Sequence, residues 1–115
     1  MKRYRLSDLT DTREGHFLKG IVPGEYLYVG GLGFKKPGER SHAEDKSAHI
    51  HDDCEVFIIL QGKGDIEIDG SRYPVTTGDI IVVEPGEDHH LIADMNDPCV
   101  NIWCHAGLMR HGEKK

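Results

Sequence analysis

Residues 49–62 read HIHDDCEVFIILQG, so side chains that bind metals stand directly before a strongly apolar run. In an extended strand every second side chain points to the same side, so His49, His51 and Glu55 share one face. Two imidazoles and a carboxylate form a ligand set suited to divalent iron, manganese, nickel or zinc. The sequence therefore predicts a metal site where this strand begins.

A second stretch, residues 78–89, reads GDIIVVEPGEDH. Its apolar run predicts another buried strand, and the Pro85-Gly86 pair predicts a tight turn before His89. A strand followed by such a turn can return one more imidazole towards the first three side chains. His89 is therefore the fourth predicted ligand, and the neighbouring His90 is the alternative if the turn has a different geometry.

These two stretches resemble the two sequence motifs of the cupin family, the first at residues 49–62 and the second at residues 78–89. The resemblance spans about residues 30–105 and implies an all-β fold, the double-stranded β-helix or jelly-roll barrel. It also implies one divalent transition metal ion per chain. The ligands implied by the family's set of three histidines and one carboxylate are His49, His51, Glu55 and His89.

The length of 115 residues is enough for one hydrophobic core, so we expect one domain, residues 1–115. Its core spans about residues 25–107, preceded by an N-terminal strand segment (1–24) and followed by a charged tail (109–115). A formal net charge of −6 argues against nucleic acid or an anionic membrane surface as a partner. Three cysteines without a Cys-x-x-Cys pair predict buried free thiols, and we expect a cytoplasmic protein.

Short apolar or alternating runs between Gly- and Pro-rich turns predict a series of strands and no long helix. The Asp69-Gly70 pair predicts a hairpin turn. Residues 33–47 are polar and predict a long loop, either a solvated insertion or a lid that brings Arg40 or His42 to a substrate. The predicted strands are 25–30, 56–60, 65–69, 72–75, 80–83, 89–93 and 100–105.

Four protein ligands leave two positions of an octahedral ion for water, substrate or dioxygen. The favoured prediction is iron(II) and a dioxygenase-like oxidoreductase that acts on a small organic substrate in the barrel lumen. The alternatives are a non-catalytic module that binds or senses a small ligand, and a manganese or zinc isomerase or decarboxylase. The lumen walls are predicted to include Phe57 and Ile59, which share the parity of Glu55.

The last strand has two faces, and its pattern leaves open which of them is inside. Asn101, Trp103 and His105 share one face, and Val100, Ile102 and Cys104 share the other. If the first face is inside, His105 is a candidate catalytic acid, base or hydrogen-bond donor beside the metal. His90 points the opposite way to His89 on a strand and is expected at the surface or in an interface, and Asp52 and Asp53 are expected to be solvated loop carboxylates. The resemblance also implies a homodimer, for which the N-terminal segment has apolar groups to bury.

Overall fold

The computed structural model describes residues 1–8, 21, 26–34, 36–41 and 53–107. Within these ranges the chain forms eight strands and one short 3₁₀ helix, Leu6–Asp8. The all-β prediction is confirmed, and no helix in the described ranges is long and apolar enough to cross a membrane. The strands are β1 (Lys2–Arg5), β2 (Tyr26–Phe34), β3 (Cys54–Gln61), β4 (Lys63–Ile68), β5 (Ser71–Thr76), β6 (Asp79–Val83), β7 (His89–Ala93) and β8 (Val100–Gly107).

The strands form two antiparallel sheets. The larger sheet has five strands in the order β1-β6-β3-β8-β2, and the smaller has three in the order β5-β4-β7. Every named strand pair is antiparallel. The hairpin that joins β4 to β5 and the pairing of β2 with the distant strand β8 are typical of a jelly-roll barrel.

The main core lies between the two sheets, because alternate residues of each strand point inward. Phe57 and Ile59 of β3 belong to it, as their parity predicted. Trp103 of β8 packs against it, whereas Ile102 lies on the opposite face and is 39% exposed. The cluster is formed by Phe57, Ile59, Ile66, Ile68, Val75, Ile81, Val83, Leu91, Ala93 and Cys99.

A second apolar cluster covers the outer face of the larger sheet and includes Val56, Ile80 and Val82. Tyr4 and Leu6 pack against this cluster, so the described part of the N-terminal segment buries apolar groups in its own chain. The predicted homodimer would also bury apolar groups further along segment 1–24, and of these Leu9, Phe17 and Leu18 lie outside the described residues.

The edge strand β1 is also held by charge. Asp79 is fully buried and accepts hydrogen bonds from Arg3 at 3.0 Å and from Arg5 at 2.6 Å. The same carboxylate accepts the backbone N–H of Thr76 at 2.8 Å. Because a buried carboxylate needs partners for its lone pairs, these contacts fix β1 against the start of β6.

The turns follow the predicted chemistry. Asp69 and Gly70 both have positive φ, 48° and 86°, as a two-residue hairpin turn between β4 and β5 requires. The prediction of a long loop over residues 33–47 is partly wrong. β2 continues to Phe34, and residues 38–41 pair along β7, with Ser41 N donating to the Leu91 carbonyl at 2.9 Å.

Candidate metal centre

The site begins with a contact between two of the predicted ligands. Glu55 stands near the start of β3, on the side chain face that points into the barrel, and His89 begins β7 on the opposite sheet. His89 Nε2 lies 2.6 Å from Glu55 Oε1, and the two side chains are only 1% and 7% exposed. The two sheets therefore bring together residues that are 34 positions apart in the chain.

The backbone orients the His89 ring. Its Nδ1 lies 3.0 Å from the carbonyl oxygen of Glu87, which can only accept, so Nδ1–H donates to it. Nε2 also faces an oxygen acceptor, and both contacts are satisfied when the ring carries a proton on each nitrogen. Burial opposes this charge, but hydrogen bonds to Glu55 and to the Glu87 carbonyl raise the pKa of His89 above its usual value.

A position between Nε2 of His89 and Oε1 of Glu55 therefore favours a cation, and a metal ion can replace the proton there. Two ligand atoms in adjacent positions around a first-row metal ion lie about 3 Å apart, close to the 2.6 Å observed. The second ring nitrogen of a metal-binding histidine commonly donates to a backbone carbonyl, as Nδ1 does to Glu87. Glu55 and His89 fit a metal centre on these grounds.

Next to this pair, a second histidine is held by a second carboxylate. His105 Nδ1 donates to Asp53 Oδ1 at 3.0 Å, while its Nε2 lies 3.8 Å from Glu55 Oε2. The His105 side chain is 5% exposed and that of Asp53 is 10% exposed, so the prediction of a surface position for Asp53 is wrong. The open question about β8 is also answered, because His105 and Trp103 lie on its inward face.

Aromatic rings border this polar group on the side of the core. Phe57 and Trp103 are directly opposite each other on β3 and β8, one inward position below Glu55 and His105. The Phe57 ring is 6.3 Å from that of His89, and the Trp103 ring meets that of His105 edge-on at 6.1 Å. Apolar side chains therefore border the polar group on the side of the main core, and they limit the access of water from that side.

His90 does not compete for this site. Its ring points to the other face of β7, where Nδ1 lies 2.8 Å from the Ser41 carbonyl and Nε2 lies 3.1 Å from Asp88 Oδ1. It is 3% exposed within its own chain, so of the two expected positions the one at the free surface is wrong. Residues 38–41 cover it, because they pair along β7. Arg40 of this segment forms an ion pair with Glu67 on β4, which leaves the lid prediction for Arg40 without support.

His49 and His51 lie outside the described residues, as does His42, so their part in the metal site stays a prediction. Among the residues the structure does describe, no group of three or more His, Cys, Asp or Glu side chains could hold a metal ion. The described part of the site thus consists of the Glu55–His89 pair and the adjoining Asp53–His105 pair.

The pairing of Asp53 with His105 was not predicted from the sequence. One signal was available, since Asp53 has the same parity as Glu55 and stands two residues before it. What the sequence lacked was the register of β3 against β8, which sets Glu55 opposite His105 and Cys54 opposite Ala106. This register brings residues 52 positions apart into hydrogen-bonding distance.

Two facing antiparallel sheets around a buried carboxylate–histidine group define a small jelly-roll barrel with a polar site at one end. A family model for the cupin domain matches residues 36–105, more than half of the chain. The chain belongs to the cupin family.

Solved structures agree with this fold. A cupin protein from Bacteroides fragilis is 21% identical, with a TM-score of 0.60, and the match covers 75% of this chain and 70% of that one. A predicted oxalate decarboxylase from Thermotoga maritima is 22% identical, with a TM-score of 0.57, and the match covers 70% of this chain and 66% of that one. At these identities the likeness concerns the fold alone.

One curated protein is similar over part of the chain. An uncharacterized HTH-type transcriptional regulator of Escherichia coli is 35% identical over 57 residues, which is 49% of this chain. The matched part is 19% of that regulator's length, so the similarity covers about one fifth of the regulator.

Proposed function

We propose that this protein is a metal-binding cupin that holds one divalent transition metal ion and a small organic compound in the barrel. The ion would be held by His49, His51, Glu55 and His89. The observation that carries this proposal is the buried 2.6 Å contact between Glu55 and His89, a site that favours a cation. The favoured activity is that of a dioxygenase-like oxidoreductase, for which a bound iron(II) ion would supply the redox chemistry with dioxygen.

The described residues would serve this activity in three ways. The Glu87 carbonyl orients His89, and Asp53 orients His105 so that its Nε2 is directed towards Glu55. Phe57 and Trp103 exclude water from these polar side chains on the side of the main core. His105 is the candidate catalytic residue, because its ring is fixed beside Glu55 where it can hold or pass on a proton at Nε2.

A second candidate function is the sensing of a small ligand without catalysis. The likeness to part of an HTH-type transcriptional regulator favours it, because a barrel of this kind can report a bound ligand to a DNA-binding domain. In that case the metal ion anchors the ligand, and His105 serves recognition only. A manganese or zinc isomerase or decarboxylase is a further alternative, in which the ion polarises a carbonyl group.

We also propose that the protein pairs as a homodimer. Apolar side chains are exposed where β2, β3 and β8 meet on the outer face of the larger sheet. Leu32 is 70% exposed, Leu60 44% and the Leu32 partner Ile102 39%. A second copy related by twofold symmetry would cover this patch with the same patch. Sedimentation of Leu32→Asp beside the wild-type chain tests this, and we expect a dimer for the wild-type chain and a monomer for the variant. A variant with the same mass as the wild-type chain would contradict the proposal.

Elemental analysis of protein purified without a metal-affinity tag tests the metal site. We expect about one metal ion per chain in the wild-type protein and a loss of metal in Glu55→Ala. Glu84→Ala is the matched control, because Glu84 is a partly exposed glutamate directly after β6 whose carboxylate lies 3.7 Å from the Lys2 ammonium group. Folding of all three proteins is checked by circular dichroism.

The outcome also separates the candidate functions. Iron at about one ion per chain supports the oxygenase and justifies oxygen-uptake measurements with chelating substrates. Stoichiometric manganese, nickel or zinc favours the isomerase, decarboxylase or sensing role. Wild-type protein that binds no metal even after reconstitution with iron(II), manganese(II), nickel(II) and zinc(II) would overturn the metal proposal.

A further inference from the structure

The two histidines that begin β7 are held in a similar way on opposite faces of the strand. His89 lies between a backbone carbonyl, 3.0 Å from Nδ1, and Glu55, 2.6 Å from Nε2. His90 lies between the Ser41 carbonyl, 2.8 Å from Nδ1, and Asp88 Oδ1, 3.1 Å from Nε2. Both rings are buried. The inner ring belongs to the metal centre, and the outer ring is fixed as firmly although it faces away from that centre.

His89 occupies an exposed place in the sheet, because it is the first residue of an edge strand. Among the described strands, β7 is the last of the smaller sheet. Residues 38–41 cover its outer edge, and their hydrogen bonds to its backbone reach it at Leu91 and Ala93. The ends of a strand open more readily than its middle. A ligand that lies two positions before the nearest of these bonds therefore needs a further contact to hold it.

The His90 ring supplies such a contact next to His89. Its hydrogen bond to the Ser41 carbonyl is buried and joins residues 49 positions apart. Ser41 is itself fixed, since its N–H donates to the Leu91 carbonyl at 2.9 Å and its Oγ accepts the Leu91 N–H at 2.8 Å. The contact with Asp88 spans only two positions and is partly exposed, so it does not tie β7 to another segment.

We propose that His90 is a positioning residue for the metal centre. Its hydrogen bond to the Ser41 carbonyl fixes the start of β7, and this holds the His89 ring beside Glu55. Loss of the bond would let the start of β7 move, and metal affinity would fall while the fold is kept, because Leu91 and Ala93 still anchor the strand in the main core. This inference rests on the proposed function, since it takes Glu55 and His89 as metal ligands.

Three substitutions of His90 separate its two contacts. His90→Asn places an amide nitrogen near the position of Nδ1 and keeps a donor for the Ser41 carbonyl. His90→Gln places its amide near the position of Nε2 and keeps only the contact with Asp88. His90→Leu keeps neither. Ile92→Ala is the matched control, because Ile92 is the next outward residue of β7 and has no part in these contacts.

Cobalt(II) is the probe, and each full-length protein is first freed of metal with a chelator. Its visible absorption bands depend on the number and geometry of the ligands, so they report the arrangement of the centre as well as its affinity. Circular dichroism and the melting temperature are measured on the same metal-free samples. A substitution that only destabilises the fold lowers the melting temperature without changing the bands of the bound ion.

We expect His90→Gln and His90→Leu to bind cobalt(II) about five- to tenfold more weakly than the wild-type protein, as the loss of one buried hydrogen bond allows. Their visible bands should shift, because His89 is no longer held in one position. His90→Asn and Ile92→Ala should match the wild-type protein in both affinity and bands.

Two results would overturn the proposal. One is wild-type affinity and wild-type bands in folded His90→Gln and His90→Leu, and the other is an equal loss in His90→Asn and His90→Gln. If His90→Leu does not fold, the comparison of the Asn and Gln variants decides alone. A wild-type protein that binds no cobalt(II) would contradict the proposed metal centre and this inference with it, so the two failures are distinguishable.

Discussion

The two ends of the barrel interior are built from the same strands and hold opposite kinds of side chain. At one end, Glu55 and His105 face each other across β3 and β8. Glu55 contacts His89, and His105 contacts Asp53. Two inward positions further along, Ile59 of β3 is fully buried in apolar surroundings. Backbone geometry is therefore not what distinguishes the site from the core, since the same antiparallel ladder supports both.

The difference lies in how each end meets the cost of burial. The apolar end gains free energy in proportion to the area that it removes from water. The polar end gains little net free energy, because desolvation of its groups offsets their attraction, and it persists because Glu55, His89, His105 and Asp53 satisfy one another. We conclude that the apolar end stabilises the fold on which the polar end depends.

The largest expected effect is at the apolar end. Ile59→Ala removes a fully buried side chain from the centre of the main core, and we expect a loss of about 2–5 kcal/mol in the free energy of unfolding. Urea denaturation measures it, with Met95→Ala, at a side chain that is 67% exposed, as the control. If the two variants lost the same stability, the division between the buried core and the exposed surface would be wrong.

A smaller loss of stability is expected from a change in β4. A Cβ atom on Gly64 would lie 2.0 Å from the carbonyl oxygen of Ile92, a backbone atom that cannot move alone. We expect Gly64→Ala to lose about 1–3 kcal/mol, because β4 and β7 must separate locally. Gly31→Ala should lose less in the same denaturation experiment, since only the flexible Trp103 indole is in contact there. The reverse order would contradict the packing of the smaller sheet.

At the polar end, Asp53→Asn tests the layer around the predicted ligands. The amide is close in size to the carboxylate but carries no charge and can turn its NH₂ group towards His105 Nδ1, so it holds the ring beside Glu55 less firmly. We expect metal affinity to fall about tenfold while stability changes little. Competition with a chromogenic chelator measures the affinity, and Asp65→Asn on β4 is the control. Unchanged affinity would show that the Asp53–His105 pair has no part in the metal centre.

The smallest effect concerns the thiols on the outer face of the larger sheet. Burial, followed by nearby carboxylates, raises the pKa of Cys54, and burial with the charge of Glu55 raises that of Cys104. The thiolate fraction at pH 8 should therefore be lower in the folded protein than in the unfolded one. We expect slow labelling by a thiol reagent in buffer and fast labelling in urea. Equal rates would contradict the burial of this face.

Several parts of the fold could be predicted because they depend on local chemistry. The apolar run from Val56 onward and the Asp69-Gly70 turn specify a strand and a hairpin through side-chain period and backbone sterics alone. The same holds for Glu55, which shares a face with Phe57 and Ile59 because alternate residues of a strand point to the same side. The segment before residue 42 was misjudged, because its pairing with β7 uses backbone groups that leave little trace in a polar sequence.

The sequence by itself determined the strand series, the turns and the candidate ligands Glu55 and His89, since each follows from the order of neighbouring residues. Tertiary structure alone decided which face of β8 is inside, that Asp53 holds His105, and that His90 is buried against Ser41. The physical reason is that alternation assigns residues to two faces but does not say which face another sheet will cover. That choice depends on pairing between strands far apart in the chain.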